Sequence, residues 1–306
     1  MDYSDAFFVP AGITYFDSAA SSLTAKAVLQ EMDAYYRQKR ANIHRGAHRL
    51  TRSASEAYEA VYGKMAQFFH ASEQEFTAVR NATEALNAVA LGLDWNAGDE
   101  VIVTDVEHHS NFLPWLRLKQ KGVRVKILEG DADGRLSPDA LSIHLTNKTR
   151  LVAFTACSNV LGARVPVKEL AKTAHDAGAQ VALDAAQYVG HHPMDLKSLP
   201  IDFMAFSGHK AFGPTGIGAL FHREGSGLTP WFVGGGTVRI PQDSADWPKE
   251  WKTVYYKNYP RFPKIQLQRE KPQADFFTLI ESRRSKSDLT EASTDLSKLS
   301  TLLQYS

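Results

Sequence analysis

The sequence predicts an α/β fold in which a mostly parallel seven-stranded sheet is flanked by helices. Between about residues 76 and 222, short apolar runs alternate with amphipathic helical patterns. Continuous apolar strands separated by helices are typical of parallel sheets that are covered on both faces. The chain has 306 residues, of which 43% are hydrophobic and 23% charged, enough for one large domain and a smaller appendage.

The predicted strands are "FTAV", "GDEVIVTDV", "VRVKIL", "TRLVAFTA", "AQVALDAA", "IDFMAFSG" and "IGALFH". Helical patterns lie between them in "TEALNAVALGL", "NFLPWLRLKQKG" and "VKELAKTAHDAG". Two longer helices precede the first strand, in "TAKAVLQEMDAYYRQKR" and "RSASEAYEAVYGKMAQFFHA". After about Gly236, prolines and basic residues and then serines and threonines replace the periodic pattern. Such a composition buries little apolar surface, which predicts a poorly ordered tail.

Charge and cysteine content restrict the class of protein. The formal net charge of +1 gives no electrostatic reason to expect a nucleic-acid or membrane partner. The single cysteine, Cys157, excludes an internal disulfide and a CxxC metal site, and it fits a reducing compartment. The start of the chain lacks the basic residues of a secretory signal, and no apolar run reaches about 18 residues. We therefore expect a cytoplasmic protein without a transmembrane helix.

Lys210 lies in the least charged stretch, "FMAFSGHKAFGPTGIGALF". A lysine in an apolar pocket has a depressed pKa, which makes its amine a nucleophile towards carbonyl groups. Covalent attachment of an aldehyde cofactor would explain both the residue type and its surroundings. The alternative is a lysine at a strand end whose ammonium reaches solvent. Ser207 and His209 beside it are candidate phosphate donors, or members of an ordinary turn.

Two further strand ends carry polar residues that suit the same cofactor. Asp184 and Gln187 follow an apolar strand, and ligands of open parallel sheets bind at the carboxyl ends of strands. Pyridoxal phosphate needs an anion beside its pyridine nitrogen, which an aspartate supplies through a charge-assisted hydrogen bond. Thr83 lies where a strand turns into a helix, so that N–H groups point towards an anion. As alternatives, Asp184 and Thr83 are each plain helix N-caps.

The stretch "EHHSNFLPW" follows the second strand and contains Glu107, His108, His109 and Asn111. A neutral imidazole there could stack on a pyridine ring and transfer protons. Paired histidines also suggest a metal, but no third ligand at HExxH-type spacing accompanies them, and we expect none. The glycines of "GPTGIG" fit neither the dinucleotide-binding nor the P-loop pattern.

Several segments together resemble the class V, fold type I pyridoxal-phosphate enzymes, in particular the cysteine desulfurases and selenocysteine lyases of the SufS and CsdA type. They are "YFDSAASSLTAKAVLQEMDAYYRQKRANIHRGAHRL", "RNATEALNAVA", "EHHSNFLPW", "SNVLGARVPVKEL", "VALDAAQ", "SGHKAFGPTGIGALF" and "FVGGG". The resemblance implies a cofactor-binding large domain at 23–238, after an N-terminal arm at 1–22 and before a divergent tail at 239–306. It also implies a homodimer that acts on cysteine or selenocysteine, a sulfur-acceptor protein and a role in iron–sulfur cluster assembly.

The resemblance assigns a role to each candidate residue. Lys210 carries the cofactor as a covalent imine, and His108 stacks on its ring and assists proton transfer. Asp184 pairs with the pyridine nitrogen, and Gln187 bonds the phenolic oxygen. The residues predicted to hold the phosphate are Ala82, Thr83, Ser207 and His209. The predicted substrate-binding residues are Asn159, near the substrate carboxylate, and His44 and Arg45, in a segment that borders the active site.

The C-terminal part departs from the family pattern. Desulfuration needs a second nucleophile, which in the family is a cysteine in an R-x-G-x-H-C-A stretch, and this chain has no such stretch. The R-F-E-A-G-T-P segment is absent as well, and the family pattern stops after "YPRF". Cys157 directly follows a strand. It fits a buried structural thiol better than a reactive one, which needs an electropositive and accessible setting.

Three functions remain open at this point. The first is a cysteine desulfurase-like enzyme, which converts L-cysteine to L-alanine with transfer of sulfur to a persulfide, but whose C-terminal part is truncated, diverged or read in a shifted frame. The second is a class V lyase, aminotransferase or epimerase that needs no cysteine nucleophile. The third is a non-catalytic binding or scaffold protein. The presence of Lys210, Asp184 and His108 favours an enzyme.

Overall fold

The computed structural model describes residues 4–44, 48–230 and 232. All of them belong to the first of the two units into which the chain divides, Met1–Gly235. The predicted tail at 239–306, the stretch "VGGG" and Arg45 lie outside the described residues. Within the described part, no helix is long and apolar enough to span a bilayer.

Seven strands form one sheet. They are β1 Phe76–Val79, β2 Glu100–Thr104, β3 Arg124–Leu128, β4 Thr149–Thr155, β5 Gln180–Asp184, β6 Phe203–Ser207 and β7 Gly218–His222. Their order in the sheet is β1-β7-β6-β5-β4-β2-β3. The five strands from β3 to β6 in that order pair in parallel, and β7 runs antiparallel to both β6 and β1. The structure confirms the predicted seven-stranded, mostly parallel sheet.

The α-helices are α1 Lys26–Ala34, α2 Arg49–Phe69, α3 Ala82–Gly92, α4 Leu113–Arg117, α5 Pro138–His144 and α6 Val167–Asp176. A π-helical segment, Tyr35–Lys39, continues α1. Short 3-10 turns lie at Ser4–Ala6, Glu73–Glu75, His109–Asn111, Leu118–Lys121 and Gly208–Lys210.

Two helices differ from the sequence prediction. The stretch "NFLPWLRLKQKG" forms only the short α4 between 3-10 turns, because Pro114 lacks an N–H and fits only the first turn of a helix. The unpredicted helix α5 begins where the side chain of Ser137 accepts a hydrogen bond from the Asp139 N–H, with Pro138 in the first turn. A serine followed by proline is a helix-start signal, so α5 could have been found.

Strand β4 shows why the central strands are mostly apolar. Val152 and Phe154 belong to a core on one face of the sheet, together with residues of α2, α5 and α6. Leu151 and Ala153 belong to a second core on the other face, with residues of α3 and α4. Because successive side chains of a strand point to opposite faces, burial of both faces requires apolar residues at every position.

Candidate active site

A cavity of about 270 Å³ lies at the carboxyl edge of the parallel strands. The register of the sheet places this edge beside the start of α3, because Gly218 pairs with both Val79 and Ser207, the last residues of β1 and β6. Binding at the carboxyl ends of strands is the general rule for open α/β sheets. The predicted site residues that line the cavity are Ala82, Thr83, His108, Asn159, Asp184, Gln187, Ser207, His209 and Lys210.

Gly218 allows α3 to begin close to the sheet. A Cβ atom at this position would lie 2.4 Å from the carbonyl oxygen of Phe206 and 3.0 Å from the Cα of Asn81. Any side chain would therefore push the β1–α3 connection away from the sheet. This explains one glycine of "GPTGIG", which matched no nucleotide-binding pattern, by close packing beside the cavity.

The first turn of α3 is the anion-binding end of the cavity. Asn81 is its N-cap, with Oδ1 accepting a hydrogen bond of 2.9 Å from the Glu84 N–H, so the alternative in which Thr83 is the cap is wrong. Thr83 lies inside the first turn, with its Oγ1 2.7 Å from the Ser110 Oγ. The Ala82 N–H donates to the Ser207 Oγ at 2.9 Å. A helix N-terminus ringed by hydroxyl groups is suited to a phosphate.

Lys210 ends the 3-10 turn that follows β6, and its side chain is half-buried. Burial lowers the pKa of its amine, and the charge of Asp184 opposes this effect. Burial and the charge of Lys210 also lower the pKa of His209, so that its imidazole is neutral at pH 7. A neutral amine is the nucleophilic form of lysine, and a neutral imidazole still donates one hydrogen bond.

Asp184 ends β5 and is 4% exposed. Its Oδ1 accepts a hydrogen bond of 2.9 Å from the Ala186 N–H, which closes a turn. Within the described residues no helix begins there, so the alternative of a helix N-cap is wrong. Burial raises the pKa of Asp184, while the Ala186 N–H and the charges of Lys210 and His108 oppose it. The negative charge of this carboxylate would likewise stabilise a protonated ring nitrogen placed beside it.

His108 has a defined tautomer. Its Nδ1 accepts a hydrogen bond of 3.1 Å from the Ser110 N–H and lies 3.0 Å from the Ser110 Oγ. A nitrogen that accepts from a backbone N–H carries no proton, so the neutral ring has its proton on Nε2. In this tautomer the ring offers its Nε2–H group as a hydrogen-bond donor.

Glu107, directly before His108, received no role from the sequence. Its Oε1 accepts hydrogen bonds from the Thr104 Oγ1 at 2.5 Å and from the Thr155 N–H at 2.8 Å. Its Oε2 accepts from the Asn111 Nδ2 at 2.6 Å. The carboxyl group thus joins the ends of β2 and β4 to the turn at residues 109–111. These bonds hold the main chain that carries His108.

Burial raises the pKa of Glu107 to about 8, and the negative charge of Asp184 acts in the same direction. In an unfolded chain the pKa is 4.5. Between these values the native state keeps a proton that the unfolded chain has lost, so this group's contribution to stability falls as the pH rises from about 4.5 to 8. The complete loss amounts to at most about 5 kcal/mol.

We expect Glu107→Gln to remove this pH dependence, because glutamine is neutral in both states. The difference in unfolding free energy between wild type and variant should fall by several kcal/mol from pH 5 to pH 8, as measured by urea denaturation. Glu84→Gln is the control. Its hydrogen bond with Arg80 lowers the pKa of Glu84, so its contribution is lost only below that window. Parallel curves for wild type and Glu107→Gln would contradict the prediction.

Of the remaining predicted residues, Gln187 and Asn159 line the cavity and His44 does not. Gln187 donates from Nε2 to the carbonyl oxygen of Ala19 at 2.6 Å, and Asn159 lies in the turn after β4. The N–H of His44 donates to the Ser55 Oγ at 3.0 Å, and its ring contacts Tyr58 of α2. The substrate-binding roles of Asn159, His44 and Arg45 stay predictions.

Cys157 lies in the wall of the cavity and is partly exposed, rather than fully buried as expected. Its Sγ is 3.6 Å from the carbonyl oxygen of Gly162. Burial raises the pKa of the thiol, with Arg164 opposing the effect. The protonated thiol is the less reactive form. The position of Cys157 in the cavity wall therefore suits a nucleophile, but its electrostatic environment does not. Among the described residues, no group of three or more His, Cys, Asp or Glu side chains is placed to hold a metal.

Comparison with known proteins identifies relatives of this chain. A model of the aminotransferase class-V family matches residues 14–252. A probable cysteine desulfurase of Pyrococcus abyssi is 44% identical over 232 residues, which cover 74% of this chain and 58% of that protein. The apo structure of a cysteine desulfurase from Thermococcus onnurineus NA1 has 43% identity and a TM-score of 0.72, and the match covers 74% of this chain and 58% of that one.

A more distant structure, of a C-DES variant with glycine covalently linked to its PLP cofactor, has 26% identity and a TM-score of 0.67. The match covers 73% of this chain and 60% of that one. The chain therefore spans less than two thirds of the length of these relatives. The family model matches most of the chain, and the Pyrococcus relative is 44% identical over three quarters of it. The chain belongs to the aminotransferase class-V family, and its relatives include cysteine desulfurases.

Proposed function

We propose that the chain binds pyridoxal phosphate in this cavity and is the cofactor-binding part of a cysteine desulfurase-like enzyme. One observation supports this above all others. The amine of Lys210, the carboxylate of Asp184 and the N-terminus of α3 line the same cavity. These three groups match the aldehyde, the pyridine nitrogen and the phosphate of this cofactor, so the residues present fit it.

Different residues would bind different parts of the cofactor. The first turn of α3, with Thr83, Ser207 and His209, would bind the phosphate through N–H, hydroxyl and imidazole donors. Asp184 would hold a proton on the pyridine nitrogen. When bound, pyridoxal phosphate supplies an electron sink for amino-acid chemistry.

Two residues would take part in proton transfer. The half-buried amine of Lys210 attacks a carbonyl carbon in its neutral form, which its lowered pKa makes more abundant. When it is not bonded to the cofactor, the same amine would remove and return a proton at the substrate Cα. His108 would assist by donating a hydrogen bond from Nε2, on the side of the cavity formed by the segment after β2.

A lyase reaction on cysteine is the second candidate, and Cys157 is the observation that favours it. It lines the cavity, and burial raises the pKa of its thiol, which favours the less reactive protonated form. Sulfur would then leave as sulfide rather than pass to Cys157. A structural neighbour with 26% identity is the cystine C–S lyase C-DES in complex with cysteine persulfide.

Uptake of the cofactor and the nature of the products test these proposals. On addition of pyridoxal phosphate, we expect the purified chain to gain a visible absorbance band and to retain the cofactor through gel filtration. With L-cysteine and dithiothreitol as the thiol acceptor, a desulfurase yields alanine and a dithiothreitol persulfide that releases sulfide. A lyase yields pyruvate, ammonia and sulfide. Uptake without turnover would favour the binding protein, and a chain that takes up no cofactor refutes the proposal.

The assembly and location of the protein are also proposed. The family resemblance supports a homodimer that delivers sulfur to an acceptor protein. The single cysteine fits a cytoplasmic location.

A further inference from the structure

The N-terminal strap (residues 19–25) crosses the loop that carries Lys210, and Ser22 lies at the centre of this contact. Ser22 is 7% exposed. Its Oγ donates to the carbonyl oxygen of His209 at 2.8 Å and accepts from the Phe212 N–H at 2.9 Å. Its own N–H donates to the same His209 oxygen at 2.8 Å. The hydroxyl therefore bonds main-chain groups on both sides of Lys210.

Phe212 has an unfavourable backbone conformation in this loop. Its φ of 62° lies in the left-handed region, which is unfavourable for a bulky side chain. The strap bonds both main-chain groups of Phe212, since the Ala25 N–H donates to its carbonyl oxygen at 3.0 Å. The Phe212 ring also contacts the rings of Phe7 and His191. These contacts offset the unfavourable conformation two residues after Lys210.

We infer that Ser22 is a positioning residue, whose hydroxyl fixes the main chain on both sides of Lys210 and so sets where the lysine amine enters the cavity. The inference rests on the proposed role of Lys210 as the attachment point of the cofactor. The charged and titratable groups that face the amine are Asp184 from β5 and His209 from the same turn. His108 in turn faces Asp184. A displaced turn changes the position of the amine relative to these groups and to solvent.

Ser22→Ala leaves the Phe212 N–H without its acceptor, so we expect the turn to relax and the amine to become more solvated. The readout is the rate at which acetic anhydride labels Lys210 in the cofactor-free protein, followed by mass spectrometry of the Lys210 peptide over a range of pH. The midpoint of the plot of labelling rate against pH should move towards that of an ordinary lysine. At pH 7 the rate relative to its high-pH plateau should fall about threefold, the effect of a weak buried hydrogen bond. The affinity for pyridoxal phosphate should fall about tenfold.

Conservative and control variants make the test specific. Ser22→Thr keeps the hydroxyl and should show the wild-type labelling profile, that is, the wild-type dependence of the labelling rate on pH. Ser22→Cys should give an intermediate shift, and it replaces Ser22→Ala if alanine prevents folding. Thr24→Val removes another strap hydrogen bond, from the Thr24 Oγ1 to the carbonyl oxygen of Gly213 at 3.2 Å, and should leave the profile unchanged.

Three results would overturn the inference: an unchanged profile in the folded Ser22→Ala or Ser22→Cys protein, an equal shift in Thr24→Val, or no restoration in folded Ser22→Thr. Because the labelling uses no cofactor, it separates this inference from the proposed function. A wild-type chain that binds no pyridoxal phosphate refutes the proposed function, while the labelling profiles still decide whether Ser22 positions the lysine.

Discussion

Lys210→Ala is expected to abolish covalent retention of pyridoxal phosphate. The amine of Lys210 is half-buried in the cavity, and burial lowers its pKa, which makes the neutral, nucleophilic form more abundant. Borohydride reduction of the loaded wild-type chain should fix the cofactor to the peptide that contains Lys210. In the variant, mass spectrometry should find no fixed label, while weaker non-covalent binding through Asp184 and the phosphate-binding residues persists.

Lys172→Ala is the matched control for this experiment. Lys172 lies on α6, is 70% exposed and pairs with Asp176, so its loss should leave the label on Lys210 unchanged. An equal amount of fixed label in the Lys210→Ala protein, on any other lysine, would contradict the assignment. The comparison is informative because the chain has many exposed lysines that react slowly and without selectivity.

Asp184→Asn is expected to weaken cofactor binding about 10- to 100-fold, the range for a buried hydrogen bond to a charged group. An asparagine of the same size cannot balance the charge of a protonated pyridine nitrogen. The substitution should also lower the pKa of the Lys210 amine further, because Asp184 is the group that raises it. The midpoint of Lys210 labelling should accordingly move to lower pH, the opposite direction to Ser22→Ala.

Both effects of Asp184→Asn can be measured on one preparation, by titration with pyridoxal phosphate and by acetylation of the cofactor-free chain. Asp176→Asn, which changes an exposed carboxylate on α6, is the control and should alter neither. Unchanged affinity in Asp184→Asn would mean that the ring nitrogen lies elsewhere. An unchanged labelling profile would mean that Asp184 does not control the ionisation of Lys210.

Much of the fold could be predicted because its signals are local. Most strands are apolar runs that end at a polar residue, as in "QVALD", and each predicted run forms a strand of the sheet. The residues that line the cavity were predicted for a related reason. Asp184 and Ser207 end strands and Thr83 follows one, and a parallel sheet brings such ends to one edge. Their roles in binding stay predictions.

Other residues could not be assigned because their partners are far away in the chain. Ser22 bonds His209 and Phe212, which lie almost the length of the described chain from it. Glu107 bonds Thr155 of β4, and its burial follows from the strand order. Cys157 follows a strand in an apolar pattern, yet the loop after β4 turns it into the cavity wall.

The sequence by itself determined the strands, most helices and the set of polar residues at the strand ends, since periodicity and turn residues act over a few positions. The tertiary structure decided which of these residues meet. Strand order and register placed α3 beside Ser207, and the strap placed Ser22 against the lysine loop. The physical reason is that contacts between distant segments depend on how the whole sheet packs, whereas the conformation of each segment depends mainly on its own neighbours.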